Sequence, residues 1–199
     1  MLPDAATRAM LVEWRAAWDH LVDPPRLGLA RNLPHTSIMQ CPFFPERLTL
    51  DALQRIAGRM EGPLPRAAFT AVCFKPRNWI FLKYAPTSGL AALQGAALDI
   101  LRDGVDFAAI ERRPSYAGYT ALESENYERW GYRYVGEAFA PHITLARLPA
   151  GAEGLPREIV EDFRERVAGR SFAFEALAFY EAGEGGAFAR ELARVPLPG

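Results

Sequence analysis

The chain is short of the residues that usually advertise a chemistry. It has two cysteines, Cys41 and Cys73, without metal-ligand spacing. Both fall in strand-like segments, which reads as two reduced, buried thiols and gives neither a catalytic role. There are only three histidines, His20, His35 and His142, and no His/Asp/Glu cluster with ligand spacing, so no metal site and no cofactor is expected. No apolar run approaches the roughly 18 residues of a membrane span, and the N-terminus has no basic start followed by an apolar core of the kind a signal peptide has. The expectation is a cytoplasmic protein with no membrane partner and no obligate protein partner. Charge of one sign is missing as well. Twenty-three Lys and Arg against 24 Asp and Glu leave a formal −1, so no global basic field grips long nucleic acid, and any phosphate is bound locally. With half of its 199 residues hydrophobic, the chain has enough apolar side chains for a sizeable core, in one domain or two small lobes.

Against this sparse background the elements repeat in order. "DAATRAMLVEWRAAWDHLV" (Asp4 to Val22) places Leu11, Trp14, Trp18 and Leu21 at helical spacing behind Asp4 as N-cap. His20 reads as a solvated residue of that helix. After the break "VDPPRLGLARNLP", a strand is expected at His35 to Cys41. A helix follows at Leu48 to Met60, a strand at Arg66 to Lys75 and, after a turn at Pro76 to Asn78, the strand "WIFLKYA". The second half runs the same way: a strand at His142 to Leu148, a helix at Leu155 to Gly169, a strand at Ser171 to Glu181 and, after a glycine turn, the strand "AFARELARVPL". An offset of 107 residues separates His35 from His142, and the helices that follow sit about as far apart, which indicates a duplicated αβ unit rather than a solenoid.

The chemistry follows from the strand period. Residues i and i+2 share a face, so His35 with Ser37, and His142 with Thr144, each present an imidazole beside a hydroxyl. Packed about a pseudo-twofold axis, two such units give two imidazoles and two hydroxyl donors in one cleft, a set that suits a phosphodiester. One imidazole serves as general base and the other as general acid, while the hydroxyls donate to the non-bridging oxygens. With only twelve Ser and Thr in the chain, two of three histidines gain such a hydroxyl by accident about once in a hundred.

"PHTSI" and "PHITLAR" resemble the paired motifs of the two-histidine (2H) phosphoesterase superfamily, and "HITLAR" is especially similar to its bacterial RNA 2′,5′-ligase/cyclic phosphodiesterase branch. The resemblance implies a bilobal α+β fold, with two antiparallel sheets around a central cleft and helices outside. It also implies metal-independent cyclic phosphodiester chemistry and catalytic roles for His35, Ser37, His142 and Thr144. On this reading the whole chain, 1–199, is one bilobal domain with halves of about 1–75 and 76–199, and strand exchange between them is left open. The substrate is a 2′,3′-cyclic phosphate of a nucleotide or RNA end, or 2′,5′-linked RNA. The sequence departs from the family twice. The residue after the first histidine is usually apolar there, whereas here it is Thr36. A strand also precedes the first helix there, whereas only three residues precede Asp4 here. Either the start codon lies upstream, or the strand is absent, or a segment such as "RLGLA" takes its place.

The connection from Asp103 to Pro141 is much longer than its counterpart and carries Tyr116, Tyr119, Tyr127, Trp130, Tyr132 and Tyr134. Long loops in compact domains are usually functional. Trp130, Tyr132 and Tyr134 are the candidates for stacking on a nucleobase, and packing of the loop onto the body is the competing role for these rings. Arg147 offers charge to a phosphate. Strand parity sets it on the face of Ile143 and Leu145, so it reaches the cleft only if the strand twists or ends there. "WGYRYVGEAFAPHITLARL" is also similar to a 2H branch associated with phosphonate utilisation, whose substrate would be a small sugar cyclic phosphate. A third reading, of another class, is a non-catalytic binder of RNA ends or nucleotides.

Overall fold

The structure is a computed structural model that describes residues 1–64, 66–75, 79–111, 118–183 and 186–198, with backbone alone at residues 73–75. The turn at Pro76 to Asn78, the side chain of Cys73 and Tyr116 lie outside the described residues. The fold is α+β with two antiparallel sheets. One is three-stranded, in the order β1 (Leu2–Pro3), β6 (Phe174–Ala182), β7 (Phe188–Pro196). The other is four-stranded, in the order β4 (His142–Arg147), β3 (Trp79–Tyr84), β2 (Ala67–Lys75), β5 (Ser171–Phe172). Each half of the chain lends a strand to the other's sheet. β2 pairs with β3 of the second half, and β6 pairs with β1 of the first.

Among the described residues five α-helices accompany the sheets: α1 (Ala5–Ala16), α2 (Leu50–Ala57), α3 (Ser88–Leu101), α4 (Ala121–Trp130) and α5 (Arg157–Val167). α1 starts where the sequence predicts, because the Asp4 carboxylate accepts from Thr7 N at 2.8 Å. It ends six residues early. A 3-10 turn at Asp19–Leu21 replaces the last α-turn ahead of Pro24 and Pro25, and His20 lies exposed on that turn, away from the site. Leu11, Trp14 and Trp18 are buried, and the Trp14 ring lies 4.2 Å from that of Phe163 of α5. Together with Leu53, Ile80, Leu82, Leu90 and Ile143 they form the main core beneath both sheets.

Four expectations are corrected. The residues from His35 to Cys41 are irregular rather than a strand, because β1 is only Leu2–Pro3 and gives them almost nothing to pair with. Cys41 there is a free thiol whose pKa burial pushes up to about 12. A strand does precede the first helix, as the two-residue β1, whereas Arg26 to Ala30 is irregular. The segment from Ser171 to Glu181 is two strands in two sheets. Ala173 is the break, held by Asp4, whose N–H donates to Ala173 O (2.8 Å) and whose carboxylate accepts from Ala173 N (2.9 Å). The long connection also has its own helix, α4, closed at its start by a Thr120/Glu123 capping box and at its end by Gly131 in the left-handed conformation (φ 70°). Among the described residues, no helix is long and apolar enough to cross a membrane.

Candidate active site

His35 is placed by the residues on either side of it. Asn32 adopts the left-handed conformation (φ 50°), and its side-chain oxygen accepts from Phe188 N at the start of β7 (3.1 Å). Beyond His35, Thr36 N donates to Met1 O at 3.0 Å. Thr36 is fully buried, and its hydroxyl accepts from Tyr84 OH at 2.7 Å. The Thr36 hydroxyl therefore satisfies a buried tyrosine of the four-stranded sheet. With Thr36 turned inward, His35 and Ser37 face the opposite way, so the expected alternation holds although the ladder does not.

His142 opens β4 opposite Lys83 of β3. Its ring lies against Phe81 (4.2 Å between centroids) and meets Tyr134 edge-on (5.2 Å). The two histidines have the same local anchor. Nδ1 of His35 lies 2.8 Å from Leu33 O, and Nδ1 of His142 lies 2.7 Å from Ala140 O, in both cases the carbonyl two residues back. A carbonyl only accepts, so Nδ1 carries the proton, and each ring presents Nε2 as its working atom. Burial, opposed by the Leu33 bond and reinforced by Met1's amino group and by His142, pushes the His35 pKa down to about 4. At neutral pH that imidazole is uncharged and its Nε2 is an acceptor.

The acceptor is engaged by a residue that the sequence reading passed over. Tyr180 of β6 places its hydroxyl 2.9 Å from His35 Nε2 and 3.2 Å from Ser37 Oγ, joining the two members of the first motif. Its ring stacks on Phe188 (4.5 Å, 16°), and burial raises its pKa. The available signal was the run Ala176, Ala178, Tyr180: two small residues and then a tyrosine on one face of a strand.

His35 and Thr144 line one small cavity of about 30 Å³, together with Asn32, Trp79 and Arg147. Arg147 is there because β4 carries a bulge. Ile80 pairs with Ala146 but Phe81 pairs with Thr144, so Leu145 has no partner on β3. One extra residue flips the alternation. Leu145 and Ala146 are consecutive buried residues, and Arg147 emerges on the side of His142 and Thr144, its guanidinium 5.8 Å from the Trp79 ring. The carbonyl of Leu145 accepts from Nε of the buried Arg15 of α1 (3.2 Å).

The aromatic residues of the long connection are placed differently from the stacking expectation. Trp130, Tyr132 and Tyr134 are each 8% exposed or less and form a satellite core with Val105, Ile110 and Val135. They offer no open ring face for a base, because a connection that folds its own helix needs apolar anchors to hold that helix on the body. Two of them still bear on the site. Tyr132 OH donates to Ser37 O (3.3 Å), and Tyr134 supports the His142 ring. Among the described residues, no group of three or more His, Cys, Asp or Glu could hold a metal ion.

Fold and site thus define an α+β protein of two antiparallel sheets, in which two His-x-hydroxyl segments of like local geometry are brought close. The family model described as a protein of unknown function, DUF1045, matches residues 67–189, more than half of the chain. The chain belongs to that family. The matched segment holds His142, Thr144, Arg147 and Tyr180, while His35 and Ser37 lie ahead of it. No curated protein matches the sequence.

Proposed function

We propose that the protein is a phosphoesterase of the two-histidine type, hydrolysing a cyclic phosphodiester without a metal. The observation that carries this reading is the shared anchor of the two imidazoles: each Nδ1 is bonded to the carbonyl two residues back, which gives both rings the same orientation and tautomer and makes Nε2 the nitrogen that exchanges protons in each. His35, uncharged at neutral pH through burial, is the base, and an anionic phosphate in the cleft raises its pKa toward the working range. Its Nε2 takes a proton from water as the water oxygen bonds to phosphorus. The bond from phosphorus to one ring oxygen breaks, and the proton on His142 Nε2 passes to that oxygen, giving a phosphomonoester and a free hydroxyl. Ser37 and Thr144 donate to the non-bridging oxygens, and Arg147 supplies positive charge.

Burial of the three candidate stacking rings favours a small sugar cyclic phosphate over a nucleotide or RNA end, because none of the three rings is open to a base. The test is turnover of ribose 2′,3′-cyclic phosphate beside a 2′,3′-cyclic nucleotide, with EDTA present. Activity should survive the chelator and should fall at least 100-fold in both His35→Ala and His142→Ala. A rate abolished by EDTA and restored by zinc or manganese rules out the two-histidine mechanism, and binding without turnover by the unaltered protein leaves the non-catalytic reading.

A further inference from the structure

The segment that carries the first motif is irregular, so its backbone groups find their partners outside any ladder. Three consecutive carbonyls each take a donor from a different part of the chain. Thr36 O accepts from the Met1 amino group (2.8 Å), Ser37 O from Tyr132 OH (3.3 Å) and Ile38 O from Nε2 of Gln94 on α3 (2.8 Å). The same Gln94 nitrogen also donates to Tyr134 O (2.7 Å), and Oε1 of Gln94 accepts from Gly136 N (2.9 Å).

Gln94 is 2% exposed, on a helix whose other buried residues, Leu90, Leu93, Ala97 and Leu101, are all apolar. A primary amide in such a place costs stability unless its N–H groups and its oxygen are engaged, and these three bonds engage them. They also reach both halves of the chain. Ile38 follows Ser37 of the first motif, whereas Tyr134 and Gly136 lie in the connection that runs into His142. Tyr134, held at its carbonyl by Gln94, meets the His142 ring edge-on (5.2 Å). Gly136 opens the 3-10 turn Gly136–Ala138, which Phe139 N closes on Gly136 O (2.9 Å), three residues before His142. Sheet pairing does not set the separation of the two histidines, since β4 belongs to the four-stranded sheet and the His35 segment to neither sheet.

We propose that Gln94 is a positioning residue for the two-histidine site: its amide ties Ile38 to Tyr134 and Gly136 and thereby sets the separation and mutual angle of the His35 and His142 imidazoles. Its effect on rate rests on the phosphoesterase reading. A base and an acid on opposite sides of one phosphorus must both be in place in the transition state, where a displacement of about 1 Å costs on the order of 100-fold. Binding of the phosphate by Thr144 and Arg147, both on β4, depends less on that separation. Loss of the amide therefore falls on kcat rather than on KM.

The test compares Gln94→Met, close in volume and without the amide, with the unaltered protein, and repeats the comparison in a His142→Ala background, all well below Tm. With ribose 2′,3′-cyclic phosphate, Gln94→Met should lower kcat about 10- to 100-fold and change KM less than about threefold. Once His142 is gone there is no separation left to disturb, and the same substitution should cost less than about twofold. A kcat unchanged by Gln94→Met, or a loss by the same factor in both backgrounds, as a merely structural residue would give, overturns the proposal. A second readout needs no turnover. Gln94→Met should shift the imidazole Hε1 resonances of both His35 and His142 and leave that of the exposed His20 in place. A shift at only one of the two, or at neither, overturns the tie. If the unaltered protein turns over no cyclic phosphate while both resonances move, the phosphoesterase reading fails and the tie stands. Should Gln94→Met fail to fold, Gln94→Glu takes its place: it keeps an oxygen for Gly136 N and donates to at most one of the two carbonyls, so the same changes should follow in the same direction.

Discussion

Acid should destabilise this protein through His35 in a way that can be measured apart from every other group. His35 titrates near 4 in the folded protein, with burial as the leading cause, and near 6.5 once unfolded. A folded-state pKa below the unfolded one means that the unfolded chain binds the proton first. Stability is therefore fully present above about pH 6.5 and is lost as pH falls toward 4, where the folded state begins to take the proton too. Linkage gives a loss of about 2 kcal/mol by pH 5 and about 3 kcal/mol by pH 4, relative to pH 7. The Met1 amino group and the Asp4 carboxylate, whose pKa values are also lowered, titrate in acid as well, so the unaltered protein alone cannot isolate the term. His35→Asn can. Its amide nitrogen can still donate to Leu33 O and it does not titrate. Urea unfolding of both proteins at pH 4, 5, 6 and 7 should show the original more stable at pH 7, and its advantage shrinking by about 3 kcal/mol at pH 4. If the difference between the two is the same at every pH, His35 is not held uncharged by burial, and its assignment as the base loses its physical ground.

Tyr180→Phe keeps the ring stacked on Phe188 and removes only the hydroxyl shared by His35 and Ser37. It should cost about 1–2 kcal/mol of stability in urea unfolding and lower kcat more than it raises KM. Arg147→Ala, at an exposed position lining the His35 and Thr144 cavity, should raise KM for a cyclic phosphate about 10-fold with Tm nearly unchanged, and an unchanged KM would remove it from the site. Trp130→Ala, in the satellite core, should cost about 3 kcal/mol or more and affect nucleotide and ribose cyclic phosphates alike. A loss confined to the nucleotide would restore base stacking. Thr36→Val leaves Tyr84 OH buried without its partner and should cost about 1–3 kcal/mol, read as a lower Tm.

Local rules were enough for part of this protein. Asp4 caps α1 because a short carboxylate ahead of a helix bonds its first free N–H groups, a relation confined to four residues of sequence. The alternation that sets His35 beside Ser37 and His142 beside Thr144 depends only on an extended backbone, and it survives at His35 even where no ladder forms. The repeat of elements carried the α+β architecture for the same reason, since periodicity belongs to each segment. Tertiary structure decided what lies between segments. Ser171 to Glu181 reads as one strand but is divided at Ala173 because Asp4, 169 positions away, claims both backbone groups there. Arg147 turns toward the cleft only because the β3–β4 register slips at Leu145, and register is a property of two strands and not of one. Tyr180 joins the first motif from the far end of the chain. Trp130, Tyr132 and Tyr134 are packing residues because the body beneath them is apolar, and a side chain's identity does not tell which surface it will meet.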